Sequence, residues 1–406
     1  MERWIGLAGA AVLLGVAFLL SRNRAAIKWK TVGWGMGLQL LVAVFVLRLS
    51  LGKNLLQAAA NGVTRLVQLA DHGSGFLFGW LVTDPAPEKF VFAFKVLPIV
   101  IFISSLFSCL YYLGIMQIVV AAMARVMTRL MGVSGAESLA AAANVFMGQT
   151  EAPIVIAPYI PAMTASELLA LMAGGMATVS GAVLGGYVAL GIDPAYLVTA
   201  SVMAAPGSLV MAKIILPETE ISQTAGRVSL KIERTDSNLI EAAARGASVG
   251  ATLAINIAAV LIAFISLVFL INGVLGWIGG WIGIDVSLQS IFGYALYPLA
   301  FIMGVPAADA SAVGRLLGLK LVLNEFVAYV DLAQLKAALS PRSELIATYA
   351  LCGFANFSSI GVQIGGIGGL APTRRSDFAR LGLRALAAGF MASCLSAAIA
   401  GAISGK

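Results

Sequence analysis

The sequence predicts an all-α polytopic membrane protein of eight transmembrane helices and two re-entrant helical hairpins in inverted repeats, with interfacial helices. Three observations carry this expectation. Of 406 residues, 60% are hydrophobic and 11% charged, with a mean hydropathy of +0.95; soluble domains carry roughly 25% charged residues. Two apolar, helix-prone stretches are each interrupted by a polar residue followed by glutamate, at Thr150-Glu151 and Asn324-Glu325. Each is followed by a span with its own polar break, at Thr178-Val179-Ser180-Gly181 and at Gly353-Phe354-Ala355-Asn356-Phe357-Ser358-Ser359-Ile360-Gly361.

Composition also excludes several functions. The net charge of +7 is spread through loops rather than clustered, which fits cytoplasmic loops facing a membrane and not nucleic-acid binding. Cys109, Cys352 and Cys394 lie far apart in apolar sequence, without metal-type spacing or a disulfide framework. His72 is the only histidine, so a histidine-based metal centre or catalytic triad is excluded.

In chain order, residues 4–20 form the first apolar span. Met1-Glu2-Arg3 is not net basic and no small-x-small site follows, so a retained helix is expected rather than a cleaved signal peptide. Arg22, Arg24, Lys28 and Lys30 mark a cytoplasmic loop and place the N-terminus outside. Residues 31–49 return across the bilayer. Residues 50–92 read as an external interfacial helix, amphipathic over 55–69, followed by the polar loop Asp84-Pro85-Ala86-Pro87-Glu88-Lys89. Residues 90–123 form one long tilted span, ending inside at Arg125 and Arg129.

Residues 136–163 then make the first hairpin. At 1.5 Å per residue this piece is about 42 Å as one straight helix. Spanning straight through would leave the carboxylate and unpaired backbone of Gly148-Gln149-Thr150-Glu151-Ala152-Pro153 in hydrocarbon, at several kcal/mol per unsatisfied group. A hairpin entering and leaving on one face puts that tip in a cavity instead. Thr150 is positioned to cap the second half-helix, with Glu151 and Pro153 in its first turn. The broken span 168–190, a short turn at Gly191-Ile192-Asp193-Pro194 and the span 196–216 follow. Residues 217–245, with Arg227, Lys231, Arg234 and Arg245, are a cytoplasmic loop, and residues 248–271 cross outward. Trp277 and Trp281 read as interfacial anchors, and 288–304 is a further apolar piece.

The pattern then recurs. Residues 307–335 form the second hairpin around Asn324-Glu325, and residues 345–367 the second broken span. Arg374, Arg375, Arg380 and Arg384 mark the cytoplasm, and residues 386–403 exit, placing the C-terminus outside. The chain therefore divides into scaffold (1–130), first repeat (131–216), a connecting scaffold (217–304) and second repeat (305–406). Positive-inside assignment puts the hairpins on opposite faces, the inverted-repeat plan of secondary transporters with a site near the midplane. Lys336 and Arg342 fall outside in this topology, against the charge rule.

Two intramembrane glutamates, each costing roughly 2.5–3.5 kcal/mol on insertion scales, mark a functional site by default. The plain alternative is that each only satisfies its own hairpin's backbone ends. With Gln149, Asn356 and Ser359 nearby in the plan, the set is rich in hydroxyl, amide and carboxylate and has no Arg or Lys in either break. It suits a neutral solute with several hydroxyls and ring nitrogens rather than a phosphate or carboxylate.

The motifs Gly148-Gln149-Thr150-Glu151-Ala152-Pro153, Asn324-Glu325-Phe326 and Gly353-Phe354-Ala355-Asn356-Phe357-Ser358-Ser359 resemble those of the concentrative nucleoside transporters. The resemblance covers nearly the whole chain, which resembles the shorter prokaryotic members, without additional N-terminal spans or long tails. It implies that Gln149, Thr150, Glu151 and Val183 face the nucleobase. Glu325, Asn356 and Ser359 would hold the ribose hydroxyls, and Phe354 would pack against the ligand. It also implies a sodium ion held by side-chain oxygens of Asn144 and Thr178 and carbonyls of Met147 and Val179. Implied partners are nucleosides of the uridine, cytidine and adenosine class, membrane lipid and two further copies in a homotrimer, in the bacterial inner membrane. Na+ is the implied coupling ion; no organic cofactor, nucleic acid or enzymatic activity is implied. Three alternatives stay open: proton coupling, an intramembrane hydrolase using Glu151 and Glu325 as acid and base, and an uncoupled channel.

Overall fold

The computed structural model describes residues 2–83, 91–224, 236–283 and 286–404, and among these every regular element is helical. The expected loop at 84–89, with Arg227, Lys231 and Arg234, lies outside the described residues. Among the described residues six helices are long and apolar enough to cross a membrane: Trp29–Leu47, Phe92–Tyr112, Ala165–Ala189 with its break, Pro194–Ile215, Leu239–Trp281 and Pro372–Ile403. Trp4–Leu19 is a shorter apolar helix.

Burial sorts these helices into an inner and an outer set. Within their most apolar stretch, 94% of Ala165–Ala189 and 89% of Pro194–Ile215 are buried, against 17% of Leu239–Trp281. Ala165–Ala189 and Pro194–Ile215 therefore lie in the core, and the apolar surface of Leu239–Ile282 faces outward. That helix packs on Phe92–Tyr112, where Gly246 and Gly250 lie against Ser104 and Ser108 so closely that a methyl on Gly250 would sit 2.7 Å from Ile101 Cα.

Four readings change. The single tilted span at 90–123 is two helices, Phe92–Tyr112 and Ile115–Met131, separated at Gly114 with φ +81. Met116, Val120, Ala124, Met127 and Met131 form the buried stripe of the second, so it is an amphipathic helix and not the end of a span. The amphipathic segment at 55–69 is part of one helix of 29 residues, Ser50–Phe78. The crossing at 248–271 lies within the 44-residue helix Leu239–Ile282, about 66 Å at 1.5 Å per residue. It starts at Asn238, whose side chain caps Glu241, and ends at Gly283 with φ +68. The piece at 288–304 is two short helices, Leu288–Ala295 and Tyr297–Ile302. Just before the long helix, Asp236 accepts from Arg245 at 2.7 and 2.8 Å, and that guanidinium holds its carboxyl below the usual range.

Both stretches expected as repeats, 131–216 and 305–406, contain two packed arms, a helix with a break and a long helix. The first has Gly135–Ala143, the turn 144–151, the 3-10 helix Ala152–Ala162, then Ala165–Ala177, Gly181–Ala189 and Pro194–Ile215. The second has Ala307–Val322, Glu325–Leu335, Pro341–Leu351, Phe357–Leu370 and Arg375–Ile403. Capping boxes start the hairpin at Ser134 and Glu137 and the broken helix at Thr164 and Glu167. Thr150 does not cap: Glu151 is the N-cap residue and makes no side-chain cap bond. Pro153, Pro158 and Pro161 remove backbone donors through this arm, which winds as a 3-10 helix.

The two cations at odds with the charge rule have specific partners. Arg342 is buried and donates to Gly304 O and Gly401 O, each at 2.7 Å, satisfying carbonyls at two helix ends. Lys336 pairs with Glu344 at 3.0 Å and donates to Gly191 O at 3.0 Å. Both charges are held by local partners, so neither reports freely on the side of the membrane.

Candidate substrate and cation site

At the second tip the chain is extended at Asn324, with φ −166, and its side chain accepts from Val327 N at 2.9 Å. That cap starts the second arm and delivers Glu325 in its first turn. Glu325 is buried at 5% exposure. It accepts from Tyr187 Oη at 3.0 Å and from Asn356 Nδ2 at 3.4 Å. Tyr187 belongs to the first repeat's broken helix and Asn356 to the break of the second. Tyr187 is held by Tyr329, with ring centroids 4.2 Å apart, and Tyr329 donates to Thr348 O at 2.8 Å.

Asn356 caps Phe357–Leu370, accepting from Ser359 N at 2.9 Å and Ser358 Oγ at 2.7 Å. Ser359 Oγ accepts from Gln149 Nε2 at 3.1 Å. Gln149 Oε1 accepts from Gln363 Nε2 at 3.1 Å, and that nitrogen also donates to Met172 O at 3.0 Å. The repeats therefore cross: the first broken helix meets the second tip, and the second broken helix meets the first. The breaks also touch, since Phe354 N donates to Thr178 O at 3.2 Å. Gly353, with φ +142, makes that approach possible, because a methyl there would lie 2.7 Å from Ala177 O.

Four expected residues, Glu325, Asn356, Ser359 and Gln149, thus lie along one connected path, and the backbone of Phe354 is tied to the first break. Thr150 packs alongside, at 2.6 Å from a methyl placed on Gly366. Val183 is buried in the first turn after Ser180, whose hydroxyl accepts its N–H at 3.4 Å. Glu151 is half-buried and accepts from Gly148 N at 3.1 Å, within its own tip. Among the described residues no hydrogen bond joins it to Gln149 or to Glu325.

The residues expected to hold a cation, Asn144, Met147, Thr178 and Val179, gather behind the first tip. Asn144 is fully buried at the end of Gly135–Ala143, and neither its Oδ1 nor its Nδ2 has a hydrogen-bond partner among the described residues. A buried amide costs about 1–3 kcal/mol when left unpaired, and the Oδ1 of Asn144 is chemically suited to a cation. A methyl on Gly174 would lie 3.1 Å from Asn144 Nδ2, and Thr178 Oγ1 donates to Gly174 O at 3.0 Å, so Asn144 and Thr178 share one neighbour. Gly181 N donates to Phe146 O at 2.9 Å, tying tip to break, and the adjoining carbonyls of Met147 and Val179 accept no hydrogen bond among the described residues. Neutral oxygens suit a hard monovalent cation. No cluster of three or more His, Cys, Asp or Glu side chains able to hold a metal occurs among the described residues.

Two site residues escaped the sequence reading. Tyr187 is the one tyrosine in its broken span, where a buried hydroxyl needs a partner. Gln363 follows Asn356 and Ser359 at helical spacing, which puts all three on one face.

A buried polar path between two hairpin tips and two broken helices, within an apolar helical protein, is the arrangement of a secondary transporter. Comparison with known proteins is specific. The models described as Na+ dependent nucleoside transporter N-terminus, nucleoside recognition (Gate) and Na+ dependent nucleoside transporter C-terminus match residues 8–81, 93–193 and 196–401. The chain is 47% identical to an uncharacterized transporter of Haemophilus influenzae, over 97% of this chain and 96% of that one. It is 43% identical to sodium/nucleoside cotransporter 1 of Rattus norvegicus over 98% of this chain, and spans 64% of that relative's length. CNTnw in an inward-facing substrate-bound state superposes with a TM-score of 0.95 at 43% identity, covering 99% of this chain and 98% of the other. An outward-facing CNTnw double variant gives 0.96 at 43% identity, covering 100% and 99%. The chain belongs to the concentrative nucleoside transporter family; it is a membrane transporter and not an enzyme.

Proposed function

We propose that this protein imports nucleosides of the uridine, cytidine and adenosine class by symport with sodium. It alternates access around a site held between the two tips and the two breaks. The observation that carries the reading is the crossed set Tyr187–Glu325–Asn356 and Ser359–Gln149–Gln363. A carboxylate and an amide there can exchange their mutual bonds for ribose hydroxyls, and Gln149, with Thr150, Glu151 and Val183 beside it, offers donors and an acceptor to a base edge. Phe354 supplies an apolar face to the ligand.

Sodium binds Asn144 and Thr178 through side-chain oxygens and Met147 and Val179 through carbonyls. The partnerless Asn144 supports this, as do relatives that carry sodium in their names. At a membrane potential of ~100 mV one inward cation contributes roughly 2.3 kcal/mol, enough for about fifty-fold accumulation at 1.4 kcal/mol per tenfold. The protein functions as a homotrimer in the bacterial inner membrane, with both termini outside. It makes eight crossings and two re-entrant hairpins, and the two repeats at 131–216 and 305–406 move against the scaffold.

Radiolabelled uridine uptake into proteoliposomes tests this, with sodium, potassium and proton gradients imposed separately. Concentrative uptake is expected with the sodium gradient alone. Uptake driven by protons, or non-concentrative under every gradient, contradicts it.

A further inference from the structure

The second repeat contains a buried cation that the substrate path does not use. Lys320 lies in the last turn of Ala307–Val322, the first arm of the second hairpin, and is 0% exposed. Its Nζ donates to Ala350 O at 2.8 Å. Ala350 is in the last turn of Pro341–Leu351, the half-helix that ends at the second break. The ammonium also lies 5.7 Å from the ring centroid of Phe390, within cation–π range. Among the described residues no carboxylate lies within ion-pair distance of it, Glu325 included. Lys320 is aimed at the carbonyl end of a broken helix, where the helix dipole favours positive charge.

Its place resembles that of Asn144 in that both stand near the end of a hairpin's first arm, Lys320 inside the last turn and Asn144 at the cap. Asn144 caps the first arm of the first hairpin and abuts Gly174, in the last turn of the half-helix that ends at the first break. In both repeats the end of the hairpin's first arm reaches the carboxyl end of the following half-helix. The first repeat presents a neutral amide oxygen without a partner; the second presents an ammonium already bonded to a carbonyl.

We infer that Lys320 is a tethered cation filling, in the second repeat, the position that the first repeat leaves open to a mobile ion. This rests on the sodium reading of the Asn144 site. It follows that one repeat takes up an ion in each cycle, while the other keeps its positive charge covalently attached beside the Glu325 tip.

The test is the melting temperature of purified protein in detergent with saturating uridine, titrated with sodium chloride at constant ionic strength against choline. The wild type is expected to gain stability with a Hill coefficient of about 1. Lys320→Asn, which restores an amide like that of Asn144, is expected to melt lower without sodium and to respond with a coefficient of about 2. A Lys320→Asn protein that keeps a coefficient of about 1, with or without a lower melting point, makes Lys320 a packing residue and overturns the inference. If Lys320→Asn does not fold, Lys320→Arg and Lys320→Met decide through uptake. Arg within about threefold of wild type and Met at least tenfold lower supports a required charge; equal uptake, or loss of folding in both, overturns it. A wild type indifferent to sodium would instead sink the sodium reading itself.

Discussion

Tyr187 Oη donates to Glu325 Oε1 at 3.0 Å, so a tyrosine on the first repeat's broken helix holds the carboxylate at the second repeat's tip. This bond joins the halves of the chain at the site itself. A hydrogen bond to a charged group contributes about 1.5–3 kcal/mol, or roughly tenfold to a hundredfold in an equilibrium. Tyr187→Phe should therefore lower uridine affinity by at least about tenfold, with the protein still monodisperse. Glu325→Gln should abolish uptake. Near-normal uridine transport by Glu325→Gln would remove the ribose role.

Gly175 faces both amides of the path: a methyl there would lie 2.9 Å from Gln149 Cβ and 2.9 Å from Gln363 Nε2. Gly175→Ala must displace Gln149, whose Cα would be only 3.2 Å away. Uptake should fall about tenfold and the ratio of uridine to adenosine uptake should change. An equal loss for every nucleoside would separate Gln149 from base recognition.

The elements that carry polar interruptions were legible in the sequence, because Asn324-Glu325 and Thr178-Val179-Ser180-Gly181 set capping groups inside apolar runs, and capping is local chemistry. Both positions break the helix in the structure, with Asn324 and Ser180 as the caps. Gly114 was not legible as a boundary: a lone glycine barely alters hydropathy, whereas its positive φ ends one helix and starts another. The far end of Leu239–Ile282 was hidden for the opposite reason: Asn272-Gly273 reads as an end, whereas the Asn272 side chain bonds to Gln289 and Leu288 and the helix runs on to Gly283. Tyr187 and Gln363 gain their roles only from partners more than 130 positions away, Glu325 and Gln149. No local signal encodes those pairings.

Away from the substrate path, Lys213 gathers the ends of three elements of the first repeat. It pairs with Glu137 and, at 3.6 Å, with Glu218, and donates to Ser166 Oγ at 2.9 Å. Breaking a buried pair leaves an uncompensated charge, at about 3–5 kcal/mol. Lys213→Met should lower the melting temperature by several degrees, and adding Glu137→Gln should recover part of that loss. A double variant less stable than Lys213→Met would mean that Glu137 is not the charge left bare.

In the proposed function the crossed polar path and the partnerless Asn144 act as one coupled site. Linkage requires that a bound sodium ion tighten nucleoside binding by the same factor as nucleoside tightens sodium. The direct measurement is uridine binding to purified protein by calorimetry, with and without sodium, for wild type and Asn144→Ala. Binding at least about tenfold tighter with sodium is expected in the wild type, with no sodium effect in Asn144→Ala; an equal sodium response in the two proteins would mean that Asn144 is not coupled to the nucleoside site.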